Sequence, residues 1–256
     1  MVLSCISFTA CGDEEDEYLF EPGGTESGVE DNTGTNDINH EEKEDNTITN
    51  GKLKGHEWIN LGLPSGLKWA TCNVGASTPE EFGDYFAWGE TKSKKTYDWS
   101  TYLYRKGSDN VIIPTDLTKY CNDSFYGFNN FTDDRITLVN FDDAATVNWG
   151  VGWRMPTEKE QTELRTMCTW TWITQKGIKG YNVTGPNGNS IFLPAAGCRY
   201  ETVLYTADDL PGSNYWSSSL CLDFSDSAEC LTFTSKYVDV DLFGRDFGFS
   251  VRPVCK

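Results

Sequence analysis

Apolar and polar positions divide this chain into two unlike parts. Residues 12–50 are rich in Asp, Glu, Asn, Thr and Gly, with almost no aliphatic side chains and no period. Such a stretch buries too little surface to offset its ordering entropy, so a disordered, self-repelling spacer is expected. Short alternations begin at His56. The run HEWINLGLPSGLKW, residues 56–69, reads as two strands around a Pro64-Ser65-Gly66 turn, with Trp58, Asn60, Leu61 and Leu63 patterned as a half-buried edge. Residues 70–91 mix Gly with aromatics and predict a packed loop with one short strand at Tyr85 to Trp88. Residues 92–140 are polar, Tyr-rich and weakly periodic, the pattern of a long surface excursion.

Two helices follow. Asp142 is the expected N-cap of DDAATVNWG, with an Ala pair inside and Gly150 closing it. Thr157 to Glu160, after Pro156, form a capping-box sequence, with Leu164 and Met167 on one face and Cys168 near the end. Strands are predicted around Trp170 to Thr174, Tyr181 to Thr184 and Ser190 to Leu193, the last two joined by the turn Pro186-Asn187-Gly188-Asn189. Near the C-terminus, Leu231 and Phe233 alternate with Cys230, Thr232 and Thr234. Val238 and Val240 repeat the alternation beyond a Ser235-Lys236 turn. Period two places Leu231, Phe233, Val238 and Val240 inward and their neighbours, including Tyr237, Asp239 and Asp241, outward. The class is α+β, with antiparallel strands and few helices.

Charge sharpens the division. The 256 residues carry 39 acids and 21 bases, for −18. Fourteen acids and one base fall in residues 12–50, so that segment holds −13 and residues 51–256 hold −5. A surface this acidic repels phosphate backbones, so nucleic acid is excluded as a partner, and no apolar run reaches membrane-span length. With only His40 and His56 in the chain, histidine-based metal or acid–base chemistry has little to work with.

Residues 1–10 (MVLSCISFTA) are uncharged and end in small residues before Cys11-Gly12-Asp13. This resembles the end of a bacterial lipoprotein signal, with Cys11 as the acylated residue, and the acidic run behind it is similar to the surface-export signal of Bacteroidetes lipoproteins. No positive n-region is present and the apolar run is short, which points to a true start upstream of Met1. The expected organisation is a signal remnant over 1–11, an acidic linker over 12–50 and one folded domain over 51–256. The domain holds seven Cys and no CxxC spacing, which argues against zinc. Structural pairing is to be sought among Cys72, Cys121, Cys168 and Cys255.

Several longer pieces carry a resemblance. GHEWINLGLPSGLKWATCNVGASTPEEFGDYFAWGET, DDAATVNWGVGWRMPTEKE, YNVTGPNGNSIFLPAAG, YWSSS and GFSVRPV, in that order, resemble the Fibrobacter succinogenes major paralogous domain of Bacteroidetes lipoproteins over roughly residues 52–254. Gly152 to Thr157 and Gly248 to Arg252 also resemble elements of formylglycine-generating-enzyme-like proteins. The resemblance implies a C-type-lectin-type fold in which N- and C-terminal strands pair and a loop-rich face presents ligand-binding side chains. Calcium-dependent sugar binding in such lectins uses Glu-Pro-Asn and Trp-Asn-Asp motifs, which supply a hard cation with oxygen ligands. Here Trp216 continues as Ser217-Ser218-Ser219, and Glu-Pro-Asn does not occur. The copper-binding Cys pair of formylglycine generation is not matched either, because Cys221 and Cys230 are too far apart in sequence. No cofactor and no metal are expected.

Between Cys198 and Phe247 a framework that includes Gly197, Tyr215 to Ser219, Leu231, Phe233, Val238, Val240, Arg245 and Gly248 alternates with chemically arbitrary positions. Cys198, Cys221, Ser227 and Cys230 belong to the arbitrary set. So do the residues expected to bind ligand: Tyr200, Asp223, Phe224, Asp226, Thr232, Thr234, Tyr237, Asp239, Asp241, Leu242, Phe243, Asp246 and Phe247. Exposed Phe, Leu and Tyr point to a surface that binds something. The set lacks Trp, Gln, Lys, Glu and Met, which no codon ending in C encodes. It thereby resembles the variable region of proteins diversified by a retroelement acting on AAC codons; the alternative is an ordinary fixed surface. Trp216, Arg245 and Arg252 are assigned to the scaffold, the Arg paired with buried carbonyls or carboxylates, and the other Trp to the core. The expected protein is a non-enzymatic outer-membrane lipoprotein on the cell surface, touching the membrane only through its anchor. Its partner is a protein or glycan on another cell, a phage or a host. A fixed-specificity glycan-binding adhesin is the first alternative and a formylglycine-generating-type enzyme the second.

Overall fold

A computed structural model describes residues 49–206 and 212–256. Cys11, the 1–11 segment and nearly all of the acidic segment lie outside the described residues. In chain order the elements are β1 (Asn50–Leu53), β2 (His56–Asn60), β3 (Lys68–Ala70), α1 (Ala144–Trp149), α2 (Glu158–Met167), β4 (Thr169–Gln175), β5 (Ile178–Thr184) and β6 (Ser190–Pro194). There follow β7 (Cys198–Tyr200), β8 (Val203–Tyr205), β9 (Ser213–Leu220), β10 (Ser227–Phe233), β11 (Val238–Gly244) and β12 (Val254–Cys255). Every strand pair is antiparallel, which establishes an antiparallel, mostly β architecture with few helices. β12 returns to β3, pairing Val254 with Trp69, and closes the sheet β1-β2-β3-β12. The remaining sheets are β4-β5-β6, β7-β8 and β11-β10-β9.

Local signals explain both helices, with two corrections. The N-cap of α1 is Asp143 rather than Asp142: its carboxylate accepts from Thr146 N and Met155 N, both at 2.8 Å. Asp142 is drawn instead into a buried cluster, where it accepts from Lys119, Tyr120 and Tyr104. The capping box of α2 is complete, since Glu160 N donates to Thr157 Oγ1 and Thr157 N to the Glu160 carboxylate. Arg154 clamps that same carboxylate at 2.7 and 2.6 Å. The buried stripe of α2 is Gln161, Leu164 and half-buried Cys168, which lie within about 60° around the axis at 3.6 residues per turn. Met167 falls outside that stripe and is exposed.

The 92–140 excursion has a core of its own. Tyr97, Trp99, Tyr102, Leu117, Cys121 and Tyr126 are buried together with Tyr85 and Ala87. Tyr can fill such a core because its hydroxyl finds a carbonyl: Tyr97 donates to Tyr85 O at 2.6 Å, Tyr85 to Ala196 O at 2.6 Å and Tyr102 to Trp88 O at 2.9 Å. Apart from one 3-10 turn at Trp99–Thr101, no helix or strand carries these residues, hence no period marks them. The expected strand at Tyr85 to Trp88 reduces to one bridge, Phe86 with Phe249. Among the described residues no disulfide forms, so the expected pairing among Cys72, Cys121, Cys168 and Cys255 is not made.

Candidate functional site

The candidate face is built on the sheet β9-β10-β11. Its middle strand, β10, alternates between two cores. Leu231 and Phe233 enter one that contains Leu164 of α2, Tyr181, Val238 and Val240. Ala228 and Cys230 enter another that contains Trp88, Trp153, Trp216 and Phe249. Cys230 and Thr232 are therefore buried, at 0% and 2% exposure, and not outward. The period was legible; the assumption that one side of it meets solvent was wrong, because a central strand covered on both faces also alternates.

On β11 the expected orientation holds. Asp239 and Asp241 are exposed and Val238 and Val240 half-buried. Register places Asp239 opposite Thr232, Asp241 opposite Cys230 and Phe243 opposite Ala228. Leu242 is exposed. Phe243 is half-buried and meets Phe249 edge-on at 5.4 Å and Phe247 at 6.0 Å. Phe247 in turn stacks on Tyr200 of β7 at 4.7 Å. Tyr237 in the hairpin turn and Asp223 and Phe224 in the β9–β10 loop are exposed; Asp226 and Thr234 are half-buried.

Four further members of the arbitrary set are internal, Ser227 of β10 among them. Cys198 and Cys221 are buried. Asp246, expected at the surface, is 2% exposed, with Oδ1 lacking a hydrogen-bond partner. Burial pushes its carboxyl up to about 7. The neighbouring Arg245 fixes this turn from within. Its guanidinium donates to the carbonyls of Tyr120, Ser225 and Lys119 at 2.8, 2.7 and 3.0 Å, and to Tyr102 Oη at 2.8 Å. Arg252 likewise donates to Ala70 O and Thr71 O, and Trp216 is fully buried, so these three are scaffold.

Sequence reasoning missed a second wall of the face. Asn122 Nδ2 donates to Leu222 O at 2.7 Å, Ser225 Oγ donates to Asn122 Oδ1 at 2.5 Å, and Asn122 N and Asp123 N donate to Ser225 Oγ. These bonds join the 122–125 loop, which carries exposed Phe125, to the β9–β10 loop, which carries exposed Leu222. Nothing in the periodicity of either loop signals this. Glu229 also belongs to the face. Its carboxyl is pushed up to about 7 by burial and by the charges of Glu158, Asp241 and Asp223.

The exposed members are thus spread along one hairpin: Tyr237 at its turn, Asp223 and Phe224 in the loop at its other end, and on β11 Asp239 and Asp241 on one side of the strand with Leu242 on the other. A cleft of about 410 Å³ lies elsewhere: Asn50, Lys52, Glu57, Trp58 and Thr71 line it, and no member of the candidate set does. Burial raises the thiols of Cys221 and Cys230, disfavouring the thiolate that soft metals select. Among the described residues no group of three or more His, Cys, Asp or Glu gathers as metal ligands would. Comparison of the chain with protein-family models, curated proteins and solved structures finds no match.

Proposed function

We propose that the folded domain is a non-enzymatic ligand-binding module of C-type-lectin-type fold, tethered to the outer face of the outer membrane through Cys11 and the acidic 12–50 linker. The carrying observation is the exposure of Phe224, Tyr237 and Leu242 with Asp223, Asp239 and Asp241 along one hairpin and its flanking loop, carried by a sheet whose middle strand is held between two cores. Large aromatic contacts on a preformed frame lose little entropy on binding, and the carboxylates between them give direction. The meeting of the first and last strands through β3 and β12 supports the fold assignment. The ligand is a protein or glycan on another cell, a phage or a host.

Retroelement diversification is proposed only for the exposed and half-buried members of the arbitrary set. Cys198, Cys221, Cys230, Thr232 and Asp246 sit in close-packed surroundings that tolerate few side chains. The gene's surroundings test that part: a near-identical downstream repeat with adenines at the exposed codons, beside a reverse transcriptase, is expected. A glycan array probed with the labelled full chain separates the main reading from a fixed adhesin. Binding lost with Phe224→Ala and Tyr237→Ala supports the face. Glycan binding that ignores those changes and disappears with Trp58→Ala moves the site to the cleft on β1 and β2.

A further inference from the structure

The outer edge of β11 carries two side-chain caps. Thr234 N donates to Tyr237 O across the turn at 3.0 Å, and Arg245 N donates to Asp226 O at the far end of the hairpin at 2.9 Å. With the register unbroken between them, alternation assigns the inward hydrogen bonds to Asp239, Asp241 and Phe243 and turns the amides of Val240 and Leu242 outward. These two amides are each held by the carboxylate before them: Val240 N donates to Asp239 Oδ1 and Leu242 N to Asp241 Oδ1, both at 2.8 Å. Among the described residues no strand pairs with this edge, and Arg165 of α2 alone forms an ion pair with the caps, reaching Asp239 at 3.4 Å.

The geometry points to the outer edge of β11 as a strand-addition site for an extended, Lys- or Arg-bearing segment of a partner protein, with Asp239 and Asp241 as its movable caps. The two donors are roughly 7 Å apart, the repeat of an incoming strand's own acceptors. When a strand docks, its carbonyls take the Val240 and Leu242 amides and the released carboxylates turn to the partner's cations. Main-chain bonds then supply affinity and the charges supply register. A second copy of this chain does not fit, because antiparallel β11 edges would set aspartates against aspartates. The chain's own segment 12–50, with fourteen acids and one base, is excluded on the same ground. The caps thus keep the edge from pairing with itself while leaving it open to a basic strand.

This inference rests on the proposed binding face, of which β11 is part. The probe is a fluorescent peptide alternating Lys and Val, titrated onto the full chain, with a Glu–Val peptide as control. Saturable binding of the Lys–Val peptide alone is expected. N-methylation at the alternate residues facing β11 should weaken it about tenfold or more, and methylation at the intervening residues less than about twofold. Val240→Pro, which removes an outward donor at a position where an edge strand accepts proline, should abolish it. Asp239→Asn with Asp241→Asn, which keeps the cap oxygens, should erase the preference for Lys over Glu. No saturable binding, or binding insensitive to the methylation pattern, overturns strand addition. The methylation scan needs no variant to fold. If the peptide fails while ligand binding still depends on Phe224 and Tyr237, the edge mode falls alone; if that dependence is also missing, the face falls with it.

Discussion

Tyr200 and Phe247 stack with ring centroids 4.7 Å apart and planes 21° from parallel. One ring belongs to β7 and the other to the turn beyond β11, next to the antiparallel bridge in which Arg199 N donates to Gly248 O at 2.8 Å and Gly248 N to Arg199 O at 2.9 Å. A double-mutant cycle with Tyr200→Ala and Phe247→Ala, read by chemical denaturation, is expected to give a coupling of about 0.5–1.5 kcal/mol. Additive losses would mean the rings are neighbours without being partners.

Arg245 is the keystone of the turn carrying that Phe. It is fully buried, and its guanidinium serves three main-chain carbonyls from loops far apart in sequence. Arg245→Ala would leave those carbonyls unpaired and is expected to cost about 3 kcal/mol or more in unfolding free energy. Arg245→Lys should rescue little, because a single ammonium cannot reproduce the planar fork. Rescue by Lys to near wild-type stability would assign Arg245 a charge role only.

Stability should fall as pH rises from about 4.5 toward neutrality. Glu229 and Asp246 are both pushed up to about 7, from ordinary values of 4.5 and 3.8. The folded chain therefore binds more protons than the unfolded chain in that window, and each carboxylate opposes folding once ionised. Asp142 and Glu160 are lowered and act at the acid end, stabilising as pH rises past their ordinary values. His56, lowered by burial, adds stability as pH rises to 6.5. The comparison must therefore be differential: thermal unfolding of Glu229→Gln with Asp246→Asn, against wild type, should show a flatter fall between pH 5 and 7.5. Parallel curves would show that neither carboxylate is shifted.

Thiol chemistry should follow burial. Cys121, Cys198, Cys221, Cys230 and Cys255 are buried, while Cys72 and Cys168 are partly exposed. Native alkylation of the domain, read by mass spectrometry, is expected at Cys72 first. Cys168 should follow slowly, because burial and Glu163 push its thiol up to about 11. Reductant should leave the unfolding temperature unchanged. A drop on reduction would reveal a disulfide that the structure does not contain.

What the sequence made legible depended on whether one side of an element meets water. Thr157 and Glu160 could be read as a capping box because the signal is local, and Asp239 and Asp241 could be placed outward because β11 is an edge strand. Cys230 and Thr232 could not, because β10 buries both faces and a small polar side chain at 2% exposure looks like a surface one. Asp142 and Asp143 are equally good caps by type; tertiary donors from Lys119, Tyr104 and Tyr120 decide between them. The junction of Asn122 with Ser225 spans 103 positions, so no local pattern could have joined the 122–125 loop to the β9–β10 loop.

The central claim is that the exposed members of this face hold the ligand. Its most direct test is binding of the fluorescent full chain to a panel of co-resident bacterial cells, phage particles and host epithelial cells, with Phe224→Ser, Tyr237→Ser and Leu242→Ser combined. The account predicts selective binding by wild type and a loss of about tenfold or more in the triple variant. Unfolding free energy should stay within about 0.5 kcal/mol per site, as for exposed positions, and a control with Ile112→Ser and Val151→Ser, exposed elsewhere, should bind as wild type does. Wild-type binding by the folded triple variant would contradict the account.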